Sequence, residues 1–153
     1  MCIRDRSSET LKILVAEENQ EACSALEELL KFLGHSVMVT QDGEDALNMF
    51  HETTPDLVFS GLTLPKLGGM ELLREVKSGS GKTLFVMICP MSDPEKIQQA
   101  LKKGAADFIT RPIQSRELIR SLDRLLNLKR GCTNYRIVDR FGQVTSHFRE
   151  FFR

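Results

Sequence analysis

From Leu11 to Arg130, short apolar runs alternate with amphipathic stretches, the pattern of βα units wound around a parallel sheet. Ile13 to Ala16 is an unbroken apolar run, as a central strand buried on both faces requires. Asn19 is placed to cap a helix whose apolar positions Ala22, Leu26, Leu29, Leu30 and Leu33 follow helical spacing, and Gly34 ends it. Val37 to Val39 predicts a second strand, and Asp42-Gly43 opens a second helix through Ala46, Leu47 and Phe50. The third strand, Leu57 to Phe59, is entered through Pro55. A loop with Pro65 and Gly68-Gly69 then leads into a helix with Met70, Leu73 and Val76 on one face. Leu84 to Ile88 is the fourth strand. Asp93-Pro94 supplies a cap followed by proline at the first helical position, and Gly104 stops that helix. Phe108 to Thr110 is the fifth strand, and Ser115 caps a last helix carrying Leu118, Ile119, Leu122, Leu125 and Leu126. Strict alternation of this kind, with right-handed crossovers, predicts an α/β doubly wound parallel sheet with helices on both faces.

Composition narrows the class without naming a function. With 153 residues, 41% hydrophobic and 27% charged, the chain is of a length for one domain and a short appendage, and collagen-like or disordered classes are excluded. The formal net charge is zero, but it is unevenly distributed. Residues 129–153 hold Lys129, Arg130, Arg136, Arg140, Arg149 and Arg153 against Asp139 and Glu150, a net of +4, which leaves −4 on the first 128 residues. Cys2, Cys23, Cys89 and Cys132 form no C-x-x-C pair, so neither a zinc site nor a disulfide framework is indicated, in keeping with a reducing cytoplasm. The most apolar stretch, Thr83 to Met91, is about half the ~20 residues that span a bilayer. Residues 1–10 carry arginines with no apolar run behind them and are read as a disordered leader, not a signal peptide.

In a doubly wound sheet the functional crevice lies outside the carboxyl ends of the strands. The residues there are Glu17-Glu18 after the first strand, Ser60-Gly61 after the third, Cys89-Pro90 after the fourth and Arg111-Pro112 after the fifth. The two acids could equally be a solvated turn beside a helix N-terminus, where the dipole favours them. Their place at the end of a central strand favours a pocket role. Gly79-Ser-Gly-Lys-Thr83 imitates the end of a phosphate-binding P-loop, but the first glycine of that motif would fall on Val76 and a strand follows where a helix is needed.

The runs Ile13-Leu-Val-Ala-Glu-Glu-Asn19, Pro55-Asp-Leu-Val-Phe-Ser-Gly-Leu-Thr-Leu-Pro65, Gly68-Gly69-Met-Glu-Leu-Leu73 and Lys103-Gly-Ala-Ala-Asp-Phe-Ile-Thr-Arg-Pro112, in this order and spacing, resemble the receiver domain of two-component response regulators. The resemblance covers residues 11–130 and implies a five-stranded flavodoxin-like (βα)5 fold. It also implies a phosphoacceptor aspartate ending the third strand, an acidic pair and a backbone carbonyl holding Mg²⁺, a Ser or Thr after the fourth strand, and a Lys before proline after the fifth. Such a set is electrostatically sensible, since an anionic phosphoryl group beside carboxylates needs a metal and a cation to neutralise it.

This sequence departs from that set at its centre. The acceptor position, four residues before Pro65, is Gly61, which has no side chain to phosphorylate. The hydroxyl position is Cys89, a poor donor to phosphate, and the lysine position is Arg111, larger and planar. The acid pair is Glu17-Glu18, and Thr63 is the residue whose carbonyl would complete the metal shell. Without the central carboxylate no cofactor is expected, with Mg²⁺ bound weakly at most. Arg111 is expected to reach Glu17 or Glu18 and hold the pocket in one conformation. Cys89 reads as a small buried residue with nothing basic beside it in sequence to make a thiolate. Phe108 falls where the resemblance implies a switch aromatic, or else is core packing.

The surface of the fourth and fifth helices carries Lys96, Lys102, Lys103, Arg116, Arg120, Asp123 and Arg124, with Asp107 beside the strand between them. Such faces are commonly only solvated. The resemblance nevertheless makes this a candidate dimer or output surface, with Lys96, Lys103, Asp107, Arg120 and Arg124 as contacts. Residues 131–153 hold four of the nine phenylalanines and the only tyrosine, and Phe141, Val144, Phe148, Phe151 and Phe152 fall near one helical face. This basic extension reads as a truncated output segment, a docking segment or a surface-seeking helix, and is too short for a helix-turn-helix. The expected activity is therefore a cytoplasmic, non-enzymatic signalling module. It would contact histidine kinase, phosphotransfer or output proteins, possess no direct nucleic-acid or membrane role, and lack its own phosphoacceptor. The alternatives are residual phosphotransfer on another carboxylate, Glu18 or Asp56, and a decayed copy without function.

Overall fold

A computed structural model describes residues 10–79, 82–90, 93–129, 136–138 and 144–147. Five strands, β1 (Lys12–Ala16), β2 (Ser36–Thr40), β3 (Leu57–Gly61), β4 (Leu84–Pro90) and β5 (Asp107–Arg111), alternate with five helices, α1 (Gln20–Phe32), α2 (Gly43–Thr53), α3 (Gly69–Gly79), α4 (Pro94–Lys102) and α5 (Ser115–Lys129). The strands form one parallel sheet in the order β2-β1-β3-β4-β5. The predicted α/β doubly wound fold is the observed one. The strands run one or two residues past the apolar runs, because ladder pairing continues through Gly61, Pro90 and Arg111, so those three residues lie within strands and not after them.

Alternation of side chains along the strands divides the core in two. Ile13, Val15, Leu57, Phe59, Val86 and Ile88 face α1 and α5, meeting Leu26, Leu30, Leu118, Leu122 and Leu125. Leu14, Ala16, Val58, Phe85, Met87 and Cys89 face the other way, onto Ala46, Phe50, Leu72, Leu73, Val76 and Ala100 of α2, α3 and α4. Nearly all these side chains are fully buried, which explains why the central strands read as unbroken apolar runs.

The helix boundaries follow the expected chemistry. The Asn19 side chain accepts from the Ala22 N–H, Asp42 from those of Glu44 and Asp45, and Asp93 from that of Lys96. Gly34 (φ 95°) and Gly104 (φ 112°) take the left-handed conformation that lets the chain leave α1 and α4. Thr83, at the end of the P-loop imitation, is buried and donates its hydroxyl to the Pro55 carbonyl at 2.8 Å, a structural role.

One expectation fails in the extension. Arg136–Val138 (β6) and Val144–His147 (β7) pair as an antiparallel two-stranded sheet, so Val144 belongs to a strand and not to a helical face. The β-branched residues Ile137, Val138, Val144 and Thr145 favour that state. Phe141, Phe148, Phe151 and Phe152, like the leader before Thr10, lie outside the described residues.

Candidate functional site

The sheet register assembles the site. Ala16 is paired with Ser60, so the next residue on each strand places Glu17 abreast of Gly61 at the carboxyl end of the sheet. Glu17 is 1% exposed. Its Oε1 accepts from the Asn19 N–H at 3.0 Å and from Arg111 Nη1 at 3.3 Å, tying the ends of β1 and β5 together across the sheet. Its Oε2 has no hydrogen-bond partner among the described residues, because it is turned toward Gly61. A Cβ built on Gly61 would stand 2.7 Å from Oε2 and 3.2 Å from the carboxyl carbon of Glu17. The space a side chain at position 61 would enter is therefore filled by the Glu17 carboxyl group.

Electrostatics follow from that burial. Removal from water pushes the Glu17 pKa above its ordinary value of 4.5, against the opposing pull of the Asn19 N–H and the Arg111 guanidinium. Arg111 keeps about a third of its side chain exposed, so its charge is set at the mouth and not in the core.

Of the remaining expected residues, the structure brings few to this point. Glu18 is exposed, so the acid pair is split into one buried and one solvated member. Thr63 is exposed on the loop after β3. Cys89 packs into the core on the α2–α3–α4 side of the sheet, and burial, with the Asp93 carboxylate nearby, raises its thiol pKa to about 11, which fits an inert buried residue. Phe108 is half-buried against the same core cluster. Among the described residues no group of three or more His, Cys, Asp or Glu side chains is arranged to hold a metal ion. A small octahedral cation needs several oxygens free to turn to it. Among the described residues at this mouth the buried carboxyl group is that of Glu17, whose Oε1 faces the Arg111 guanidinium.

Two contacts were not anticipated. Gly69, which begins α3, donates its N–H to the Leu62 carbonyl at 3.0 Å, and a Cβ there would meet the Gly61 carbonyl oxygen at 2.2 Å. The α3 start thus lies directly on the backbone of the acceptor position. Glu117 of α5 accepts from the N–H and hydroxyl of Thr110, the neighbour of Arg111, at 3.2 and 3.4 Å. Gly69 reads in the sequence as part of a loop pair, and the sequence pattern does not single out Glu117.

The candidate contact face is also partly used within the chain. Lys96 and Lys103 are exposed and Arg120 half-buried. Asp107 and Arg124, expected as exposed interface charges, form an ion pair with each other, and the Ser121 hydroxyl donates to Asp107 at 2.6 Å. Arg124 is 9% exposed. Helical spacing sets Arg124 one turn from Ser121 and beside Leu125, on the flank facing β5, which the charge pattern alone did not distinguish from the outer face.

The family model for the response regulator receiver domain matches residues 13–123. The chain belongs to this family. The receiver is 31% identical over 107 residues to a probable transcriptional regulator, ycf27, of Guillardia theta, covering 70% of the chain and 42% of that protein. Among solved structures it is similar to a response regulator receiver domain protein from Clostridium thermocellum (26% identity, TM-score 0.72, 78% of this chain and 96% of that one). It is also similar to NtrX from Brucella abortus (28% identity, TM-score 0.76, 80% of this chain and 28% of that one). The chain thus spans less than half the length of two of these relatives. It is a receiver domain of the two-component response regulator type, and the position where the family's acceptor aspartate was expected is Gly61.

Proposed function

We propose that this receiver domain signals by protein contact alone and is not switched by aspartyl phosphorylation. The reading rests on one observation: Gly61 ends β3, and the Glu17 carboxyl group fills the space a side chain there would need. Phosphoryl transfer to the domain requires a nucleophilic oxygen beside a cation, and at this mouth the cation is Arg111, already engaged by Glu17. In this reading Mg²⁺ has no part, the domain carries no catalysis of its own, and it works in a reducing cytoplasm with a histidine kinase, a phosphotransfer protein or an output protein as partner. The exposed charges Lys96 and Lys103, with the half-buried Arg120, remain the candidate contacts, alone or across a homodimer.

Residual phosphotransfer finds no support in the placement of the other carboxylates. Asp56 precedes β3 and accepts from the Lys12 N–H at 2.9 Å, at the amino end of the sheet, and Glu18 is exposed. Incubation of the protein with acetyl phosphate and Mg²⁺ tests the proposal: the expected product is unmodified protein, and a hydroxylamine-sensitive phosphoprotein overturns it.

A further inference from the structure

The mouth of the sheet holds an unusual pairing: a nearly fully buried carboxyl group abuts a glycine, and its side-chain partner among the described residues is a cation from a strand 94 positions away in sequence. A carboxyl group is ordinarily kept in water unless something replaces its hydration. Here the replacement is the Arg111 guanidinium on one side and the Asn19 N–H on the other. Together with the bare backbone of Gly61, these form a small pocket that accepts a planar anion.

We propose that this pocket is a carboxylate-binding site whose resident ligand is the chain's own Glu17 side chain, so that removing that side chain leaves a site for a free small carboxylate such as formate or acetate. Three features carry the proposal. Gly61 supplies the room, since any Cβ there would collide with Glu17 Oε2 at 2.7 Å. Arg111 lies on β5 and Asn19 caps α1, so the two donors are carried by separate elements of the fold. The backbone at the pocket floor is held by Leu62 donating to the Ile88 carbonyl at 3.1 Å and Gly69 to the Leu62 carbonyl at 3.0 Å, so it is not expected to collapse into the space. Tethering predicts that the wild-type site takes no free ligand, since a side chain in place competes at a far higher effective concentration than a weakly binding solute.

The inference builds on the proposed lack of phosphorylation, but its test is separable. Glu17→Ala in the full chain is titrated with sodium formate, with sodium chloride at equal ionic strength as control, and thermal unfolding is followed. The variant is expected to gain about 3 °C or more from formate at a concentration well above its dissociation constant. Wild type and the double variant Glu17→Ala/Arg111→Ala should respond no more to formate than to chloride. Absence of a formate-specific shift in folded Glu17→Ala, or an equal shift in wild type, overturns the proposal. Should Glu17→Ala not fold, Glu17→Ser, which refills part of the space, is read in the same way and carries the same two outcomes. Labelling of wild type by acetyl phosphate would remove the proposed function whatever the formate result, whereas a negative formate result with no labelling removes only this inference.

Discussion

At the scale of single residues, the pocket turns on Gly61 and Glu17. The glycine was legible in the sequence, because the acceptor position lies four residues before Pro65 and the surrounding run fixes the strand. The contact between Arg111 and one of the two acids was legible in kind. Which acid receives it was not, because the chain leaves β1 immediately after Ala16 and the turn decides that Glu17 points inward and Glu18 outward. A pH dependence follows. The Glu17 pKa is raised in the folded state above its ordinary 4.5, so between the two values the folded protein holds a proton that the unfolded chain has lost. This group therefore adds stability as pH falls from above the folded pKa toward 4.5, and at neutral pH its burial is a cost. Glu17→Gln removes the titration. In urea unfolding from pH 7.5 downward, wild type is expected to gain stability relative to Glu17→Gln, and parallel pH profiles for the two would contradict the assignment.

At the scale of elements, the period of the apolar positions carried most of the fold. Every parallel strand and its following helix was readable because burial on two faces leaves unbroken runs and burial on one leaves helical spacing. What escaped was contact between elements. Gly69 lies against the Gly61 carbonyl at 2.2 Å from where its Cβ would be, while a Cβ at Gly68 would meet nothing within 4 Å. Gly69→Ala is therefore expected to cost about 3 kcal/mol in denaturant unfolding, since the obstacle is backbone and cannot step aside. Gly68→Ala should be close to neutral. Equal costs would mean that α3 does not start on the acceptor backbone as described. The Asp107–Arg124 pair sits where β5 meets α5, with little exposure on either side chain. Arg124→Ala leaves the Asp107 carboxylate deprived of its cation, and a loss of about 3 kcal/mol is expected, with no change in the elution volume of the protein. A stable variant with altered oligomeric state would instead restore Arg124 to the contact surface. The extension shows the reverse failure. Spacing of aromatic residues suggested a helix, but the β-branched residues of Arg136–Val138 and Val144–His147 pair as strands, and propensity outweighed a periodicity that rested on few positions.

At the scale of the whole molecule, the zero net charge divides into an acidic part that coincides with the family match and a basic part beyond it. Among the described residues no helix is long and apolar enough to cross a membrane. The family was readable from ordered motifs spread over most of the chain, because they record the turns and strand ends that the doubly wound sheet demands. The state of the mouth was only half readable, since a missing aspartate shows in the sequence but the side chain that fills its space does not. The central claim, that this receiver has no acceptor and no metal-dependent on-state, is tested most directly by amide NMR of the full chain with Mg²⁺ and beryllofluoride, a phosphoryl mimic that needs a carboxylate oxygen to complete the coordination of beryllium. The resonances of Glu17, Gly61, Leu62 and Arg111 are expected to stay where they are on addition. Saturable shifts at those residues that require both reagents would contradict it.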